Sequence, residues 1–439
     1  MTERLLQYIW QYQYFNTKGQ CTTQGQPLEI LQVGRLNTNQ GPDFLHGRIR
    51  VDNTEWAGHV ELHIHTTDWN LHGHSDDEHY QNIILHVVWQ HDKELPLPFP
   101  CLELQPLVSS LLLKQYEALM LGRQHFIPGD QQWPGLNESG FLKWKERLLI
   151  ERLLHRTDRI LALLEKNNRH WEECFWILLA RNFGMPINAG AFEQLAQSLP
   201  LNLLARHKNQ LIQVEALLFG QVGLLENVFV ESYPIMLQKE YRFLQKKYGL
   251  KPIHEPICFL RMRPASFPTV RLAQLAALIS NSHRLFTNLL ETNDFREAQD
   301  LLSVKANDYW HYHYMFDEMS AFSHKNLGQQ MKANLFINSI IPMIYAYGHF
   351  NQSEKITDKA LRWMEQVTAE SNSVTRGFEG LGASIHSAFD SQAFIQLKQE
   401  YCDQKRCLHC AIGNHILKKS VTGKVGYEPF SDTDQSSQV

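Results

Sequence analysis

The opening MTERLLQYIWQYQYF places apolar residues at helical spacing and reads as one amphipathic helix. The pattern then changes to the two-residue period of strands. LEILQVG (28–34), LHGRIRV (45–51), AGHVELHIH (57–65) and NIILHVVWQ (82–90) are short β-branched or alternating runs bounded by Gly, Asp and Asn. Pro42-Asp43 is a tight approach into the second run, and Asp52-Asn53 is a good hairpin turn between the second and third. NIILHVV lacks alternation, which predicts a strand buried on both faces. LPLPFPCLEL supplies prolines and a last short strand.

From about residue 137 the spacing is helical. Phe141, Trp144, Leu148, Leu149 and Leu153 recur on one helix face, and RLAQLAALI and FINSIIPMIYAY have the same character. Gly and Pro punctuate this region at helix-sized intervals, and no fixed-period repeat is visible. The expected fold class is α+β. A β-rich domain (1–125) with a mixed sheet precedes an α-helical domain (137–400), a Cys-rich segment (401–420) and a disordered polar tail (424–439).

A chain of 439 residues is too long for one ordinary domain. Charge is nearly balanced overall, with a formal net of −4, which excludes a broadly basic nucleic-acid coat. It is unevenly split: residues 1–136 hold 8 Lys/Arg against 15 Asp/Glu, so any polyanion is gripped mainly by the helical part. No apolar run approaches the roughly 18 residues of a membrane helix. The N-terminus lacks the pattern of a signal peptide. A cytoplasmic protein without a membrane partner is expected. Seven cysteines, four of them scattered singly, fit a reducing compartment.

Histidine changes the picture. Nine of the 22 fall between positions 46 and 91. If 57–65 is a strand, Val60, Leu62 and Ile64 face one way and His59, Glu61, His63 and His65 the other. A hairpin with 45–51 brings Asp43 toward Glu61. Paired carboxylates suit a hard cation, Mg²⁺ or Mn²⁺, which activates water for phosphoryl displacement. A His-rich site instead suits Zn²⁺, Mn²⁺ or Fe²⁺. The bland alternative is a half-exposed strand with polar filler. His86 sits in an apolar run and reads as a hydrogen-bonded core histidine. His72 and His74, beside Asp68, Asp76 and Asp77, either close the site as a loop or are solvated.

Cys402, Cys407 and Cys410 form C-x4-C-x2-C, with His409 and His415 nearby. That spacing suits a zinc ion or three legs of an iron–sulfur cluster; the alternative is three reduced thiols. Arg261, Arg263 and Arg271 bracket two prolines at a helix start. There they can hold an anion such as a nucleic-acid phosphate, or form salt bridges.

The stretch GPDF (41–44), then Trp56-Ala57-Gly58-His59-Val60-Glu61-Leu62-His63, His72-Gly73-His74 and Leu85-His86-Val87-Val88, resembles an uncharacterised bacterial family, domain of unknown function 2851. The resemblance extends through RPASFPTVRLAQ and takes in the C-terminal cysteines, and it implies no activity. More distantly, Asp43 followed by Glu61-x-His63 resembles the Asp…(Asp/Glu)-x-Lys core of the PD-(D/E)xK nucleases. That likeness implies a restriction-endonuclease-like sheet, with Asp43 and Glu61 as metal ligands and a first-helix acid at Glu3. His63 stands where the family has Lys and lacks its fixed charge. Some exonucleases of that superfamily carry iron–sulfur clusters near their chain ends.

The leading expectation is a metal-dependent phosphodiesterase acting on nucleic acid. Asp43 and Glu61 hold the ion, His63 orients or activates water, and His59 or His65 supports it. A non-catalytic scaffold with a structural zinc or iron–sulfur site is the alternative. A His-liganded metalloenzyme acting on a small molecule is the third reading. Geometry discriminates: shared carboxylates in an open groove, imidazoles converging in a pocket, or neither.

Overall fold

The structure, a computed structural model, describes residues 1–74, 77–121, 126–130, 133, 138–260, 262–263, 266–282 and 284–421. The tail at 424–439 and Arg261, both singled out above, lie outside these residues. The architecture is α+β, as the patterning implies, with 56% helix and 12% strand. The chain forms two compact units, one of Met1–Phe141 with Lys398–Val439, the other of Leu142–Leu397.

In the first unit, helix α1 (Glu3–Gln11) starts at Thr2, whose hydroxyl accepts from Leu5 N at 3.3 Å. Leu5, Leu6, Ile9 and Trp10 are buried, and the Trp10 indole donates to Val33 O at 3.0 Å. The strands are β1 (Leu28–Gln32), β2 (Arg35–Leu36), β3 (Phe44–Val51), β4 (Thr54–His65), β5 (Ile83–Gln90) and β6 (Cys101–Glu103). They form a mixed sheet of order β1-β3-β4-β5-β6, with β2 also pairing β3. β3 and β4 are the expected hairpin, turning at Asp52 with φ +50°. β5 lies parallel to both β4 and β6. Its residues Ile83–Val88 are all buried, as the unbroken apolar run requires.

Two short helices follow β4 and β6: α2 (Asp68–Leu71) and α3 (Ser110–Leu121). The Cys-rich segment is part of this unit. Its helix Ala411–Val421 packs on α3, and the Lys405 ammonium donates to Met120 O at 2.6 Å. Gly129 has φ +74°, and a Cβ there would come within 2.7 Å of Ile416 Cδ1.

Among its described residues the second unit is helical apart from loops and a small hairpin, His313–Met315 with Glu318–Met319. Its core is aromatic-rich, with Phe175, Phe183, Phe219, Trp310, Phe336 and Trp363 buried.

Candidate metal centre

β4 carries the site because its alternation is real at its centre. Val60 and Leu62 are buried in the core, while Glu61 and His63 share the opposite face and are 5% and 1% exposed. Parallel pairing with β5 sets His86 beside Glu61. His63 Nδ1 meets His86 Nε2 at 2.9 Å, the proton belonging to one or the other.

The segment after β4 folds back over this face. His65 N donates to Asp68 Oδ2 at 2.8 Å, and Thr67 N and Oγ1 donate to Asp92 at 3.2 and 2.6 Å. α2 thereby buries Trp69, whose ring contacts His74, His86, Tyr80 and Phe99 at centroid distances of 5.0–6.0 Å. Beyond α2, Gly73 turns the chain with φ +71°, bringing His72 and His74 to the site. Tyr80 stacks on His74 at 3.9 Å.

Three of the resulting distances are close to those between ligand atoms around one ion. His63 Nε2 lies 3.1 Å from His72 Nδ1. Glu61 Oε1 lies 3.6 Å from His63 Nε2 and 3.5 Å from His74 Nε2. The ligand atoms of the three imidazoles all fall within 4.8 Å of one another. Two ligands each 2.0–2.1 Å from a tetrahedral ion sit about 3.3 Å apart. The Glu61 contacts are too long for good hydrogen bonds but match such an edge. His74 Nε2 is buried with no hydrogen-bond partner.

Electrostatics agree. Glu61 is held well above the usual carboxyl range by burial and then by Asp43; no Lys or Arg pairs with it among the described residues. Burial likewise raises Asp43, against the opposing pull of the Leu62 N–H and Gln7. His63 is pushed down to about 2, by burial first and then by His86, His74 and His72. His86 is pushed down to about 3 by burial. Neutral imidazoles are the form that binds metal. His72 is exposed, so one side of the cluster faces solvent.

The chain matches the family described as "Protein of unknown function (DUF2851)" over residues 3–373. It belongs to this family. The DUF2851 match takes in the whole histidine centre but ends before Cys402, so the resemblance does not reach the C-terminal cysteines as expected. No curated protein and no solved structure matches the chain. The resemblance to PD-(D/E)xK nucleases has no counterpart among these comparisons.

Asp43 and Glu61 are brought together as expected. Both Asp43 oxygens are engaged, Oδ1 by Gln7 Nε2 at 2.8 Å and Oδ2 by Leu62 N at 3.2 Å. Glu3, on α1, adds to the field that raises both acids.

His59 and His65 stand apart from the cluster. A register shift between Phe44 and Gly47, with His46 at φ +59°, turns His59 toward His46; His46 N donates to His59 Nδ1 at 3.3 Å. His65 lies at the strand end, its Nδ1 3.7 Å from Asp68 Oδ2. His72, His74 and His86 complete the constellation. The H-x-H spacing beside Asp68 was the readable signal for the first two; for His86 it was its place in the strand next to β4.

Cys402, Cys407 and Cys410 are free and close enough to perturb one another. Burial first, then the neighbouring sulfurs, raises Cys402. Burial raises Cys407 to about 12 and Cys410 to about 11, the latter opposed by the Gly413 and Ile412 amides. Arg263 is exposed. Arg271 is buried and turned toward Gln274, which removes it from any surface track for nucleic acid.

Proposed function

We propose that this DUF2851 protein is a divalent-metal-dependent hydrolase whose ion is held by Glu61, His63, His72 and His74. One observation carries the reading: a buried Glu61 oxygen, with no Lys or Arg partner among the described residues, lies 3.6 and 3.5 Å from nitrogens of His63 and His74, and His72 Nδ1 lies 3.1 Å from the same His63 nitrogen. A three-His, one-carboxylate donor set suits Zn²⁺, Mn²⁺ or Fe²⁺ better than Mg²⁺. An ion there supplies a Lewis acid and an activated water. His86 fixes the His63 tautomer, and Asp43 fixes Glu61.

Of the expected substrates, the converging imidazoles and the acidic surroundings of Glu3, Asp43 and Asp77 favour a small, weakly charged substrate over a polyanion. A phosphodiester substrate remains the second reading, supported by Asp43 lying against Glu61. The cysteine trio is proposed as a separate zinc or iron–sulfur staple, supported by the C-x4-C-x2-C spacing and by the burial of Cys407 and Cys410.

Calorimetric titration with Zn²⁺ and Mn²⁺, followed by hydrolysis assays on ester, amide and phosphodiester reporters and on DNA and RNA, tests the reading. Wild type binds about one ion at this centre and hydrolyses one reporter class; Glu61→Ala does neither while keeping its fold. Equal metal binding in both proteins overturns the proposal. Elemental analysis with an absorption spectrum separates zinc from iron at the cysteines. Neither metal after anaerobic preparation overturns the staple.

A further inference from the structure

The helical unit holds a cation that the packing of its described residues leaves uncompensated. Arg271 stands in the first turn of the helix Pro268–Asn281 and is 9% exposed. Its Nη1 donates to Gln274 Oε1 at 3.0 Å. Gln274 is itself buried, and its Nε2 donates to the carbonyls of Lys325 and Asn326 at 3.3 and 3.0 Å. The amide is therefore fixed and holds the guanidinium by one corner.

The opposite edge has no partner among the described residues. Nε is buried without a hydrogen bond, and no bond reaches Nη2 among the described residues. No carboxylate pairs with Arg271 there either, and burial alone lowers its pKa. A buried guanidinium without a counter-charge is strongly unfavourable. Its place in the first helical turn compounds this, because the helix dipole there repels a cation and attracts an anion. The Nε and Nη2 donors of one guanidinium are parallel, the geometry that takes two oxygens of a carboxylate or phosphate.

We propose that the Nε/Nη2 edge of Arg271 is a receptor for a small oxyanion, a phosphate or carboxylate group, with Gln274 as the residue that positions it. The enclosure that keeps Arg271 off a nucleic-acid track suits it to a compact ligand.

The test is thermal denaturation and calorimetry of the full chain with inorganic phosphate or succinate, against chloride at matched ionic strength. Wild type shows saturable stabilisation by phosphate, by succinate or by both, and the stronger of the two names the group. Arg271→Lys keeps the charge but loses the fork, and binds about tenfold more weakly or worse. Arg271→Met loses the response and, without anion, melts above wild type because an apolar side chain replaces an unpaired charge. Glu61→Ala retains the response, which separates this site from the metal reading. No saturable response in wild type, or an equal response in Arg271→Lys, overturns the proposal even if Arg271→Met fails to fold.

Discussion

Asp43 and Glu61, 18 residues apart, are clasped through the backbone: Asp43 N donates to Glu61 Oε2 at 2.9 Å, and Leu62 N donates back to Asp43 Oδ2 at 3.2 Å. This clasp spends Oε2 and leaves Oε1 facing His63 and His74. It also explains how two acids tolerate one another in a buried setting. Each is stabilised by an N–H dipole; burial raises both pKa values, and the charge of Asp43 adds to the rise at Glu61. In the proposed reading Asp43 aims the ligand, and Glu61 is the ligand.

That arrangement sets a pH dependence. Glu61 in the metal-free fold ionises above its unfolded value, so its contribution to stability is complete below the ordinary carboxyl range and is lost as pH rises toward the raised value. Asp43 moves in the same direction. Below about pH 7 the depressed pKa values of His63 and His86 oppose this slope, so urea midpoints of metal-free protein fall as pH rises above about 7, where those imidazoles are neutral folded or unfolded. Glu61→Gln flattens that slope, and Zn²⁺ or Mn²⁺ restores the wild-type midpoint at the higher pH. A slope that is unchanged in Glu61→Gln contradicts the assignment.

His86 acts through His63. Its Nε2 lies 2.9 Å from His63 Nδ1, and it is fully buried. Accepting that proton leaves His63 Nε2 with the lone pair a metal needs. His86→Leu lowers metal affinity by about 10–100-fold, the usual cost of losing a residue that orients a ligand. His86→Gln, which still offers an acceptor, recovers part of it. Calorimetric titration of the three proteins distinguishes this from a packing role, in which Leu and Gln would behave in the reverse order.

Much of this was legible in the sequence, and the misses are local. Alternation in 57–65 put Glu61 and His63 on one face because the centre of β4 is regular and paired on both sides. It failed for His59, where the register shift beside His46 redirects the ring, and for His65, where the strand ends. No period reveals a β-bulge in advance. Apolar continuity identified β5 as buried but could not say that His86 would meet His63, because strand order is a long-range property. The cysteine segment follows the helical region in sequence yet belongs to the first unit, packing on α3, which local pattern does not encode.

Trp69 is the clamp of the loop. It is 2% exposed and lies against His74, His86, Tyr80 and Phe99. Trp69→Ala costs about 3–5 kcal/mol in denaturant stability. Metal affinity falls with it, because His72 and His74 lose the support that holds them over Glu61. Trp69→Phe keeps part of the packing and loses less of both. Stability loss without any change in metal affinity would show that the loop is held elsewhere.

Gly58 tests the sheet beneath the site. A Cβ there would lie 2.4 Å from Asn82 O and 2.6 Å from Ile84 Cγ2, so the backbones of β4 and the β5 entry approach closer than any side chain allows. His59 N donates to the same Asn82 carbonyl at 2.8 Å, which pins the start of the β4–β5 pairing. Gly58→Ala must therefore push β5 away from β4, at about 1–3 kcal/mol for the overpacking. The displacement travels along β5 to His86 and lengthens its contact with His63. Gly58→Ala is expected to lower both the unfolding midpoint and the metal affinity. Ala57→Gly, at the exposed neighbouring position, lowers stability by no more than about 1 kcal/mol and leaves affinity intact. If Gly58→Ala binds metal as tightly as wild type, the strand pairing does not govern the histidine geometry.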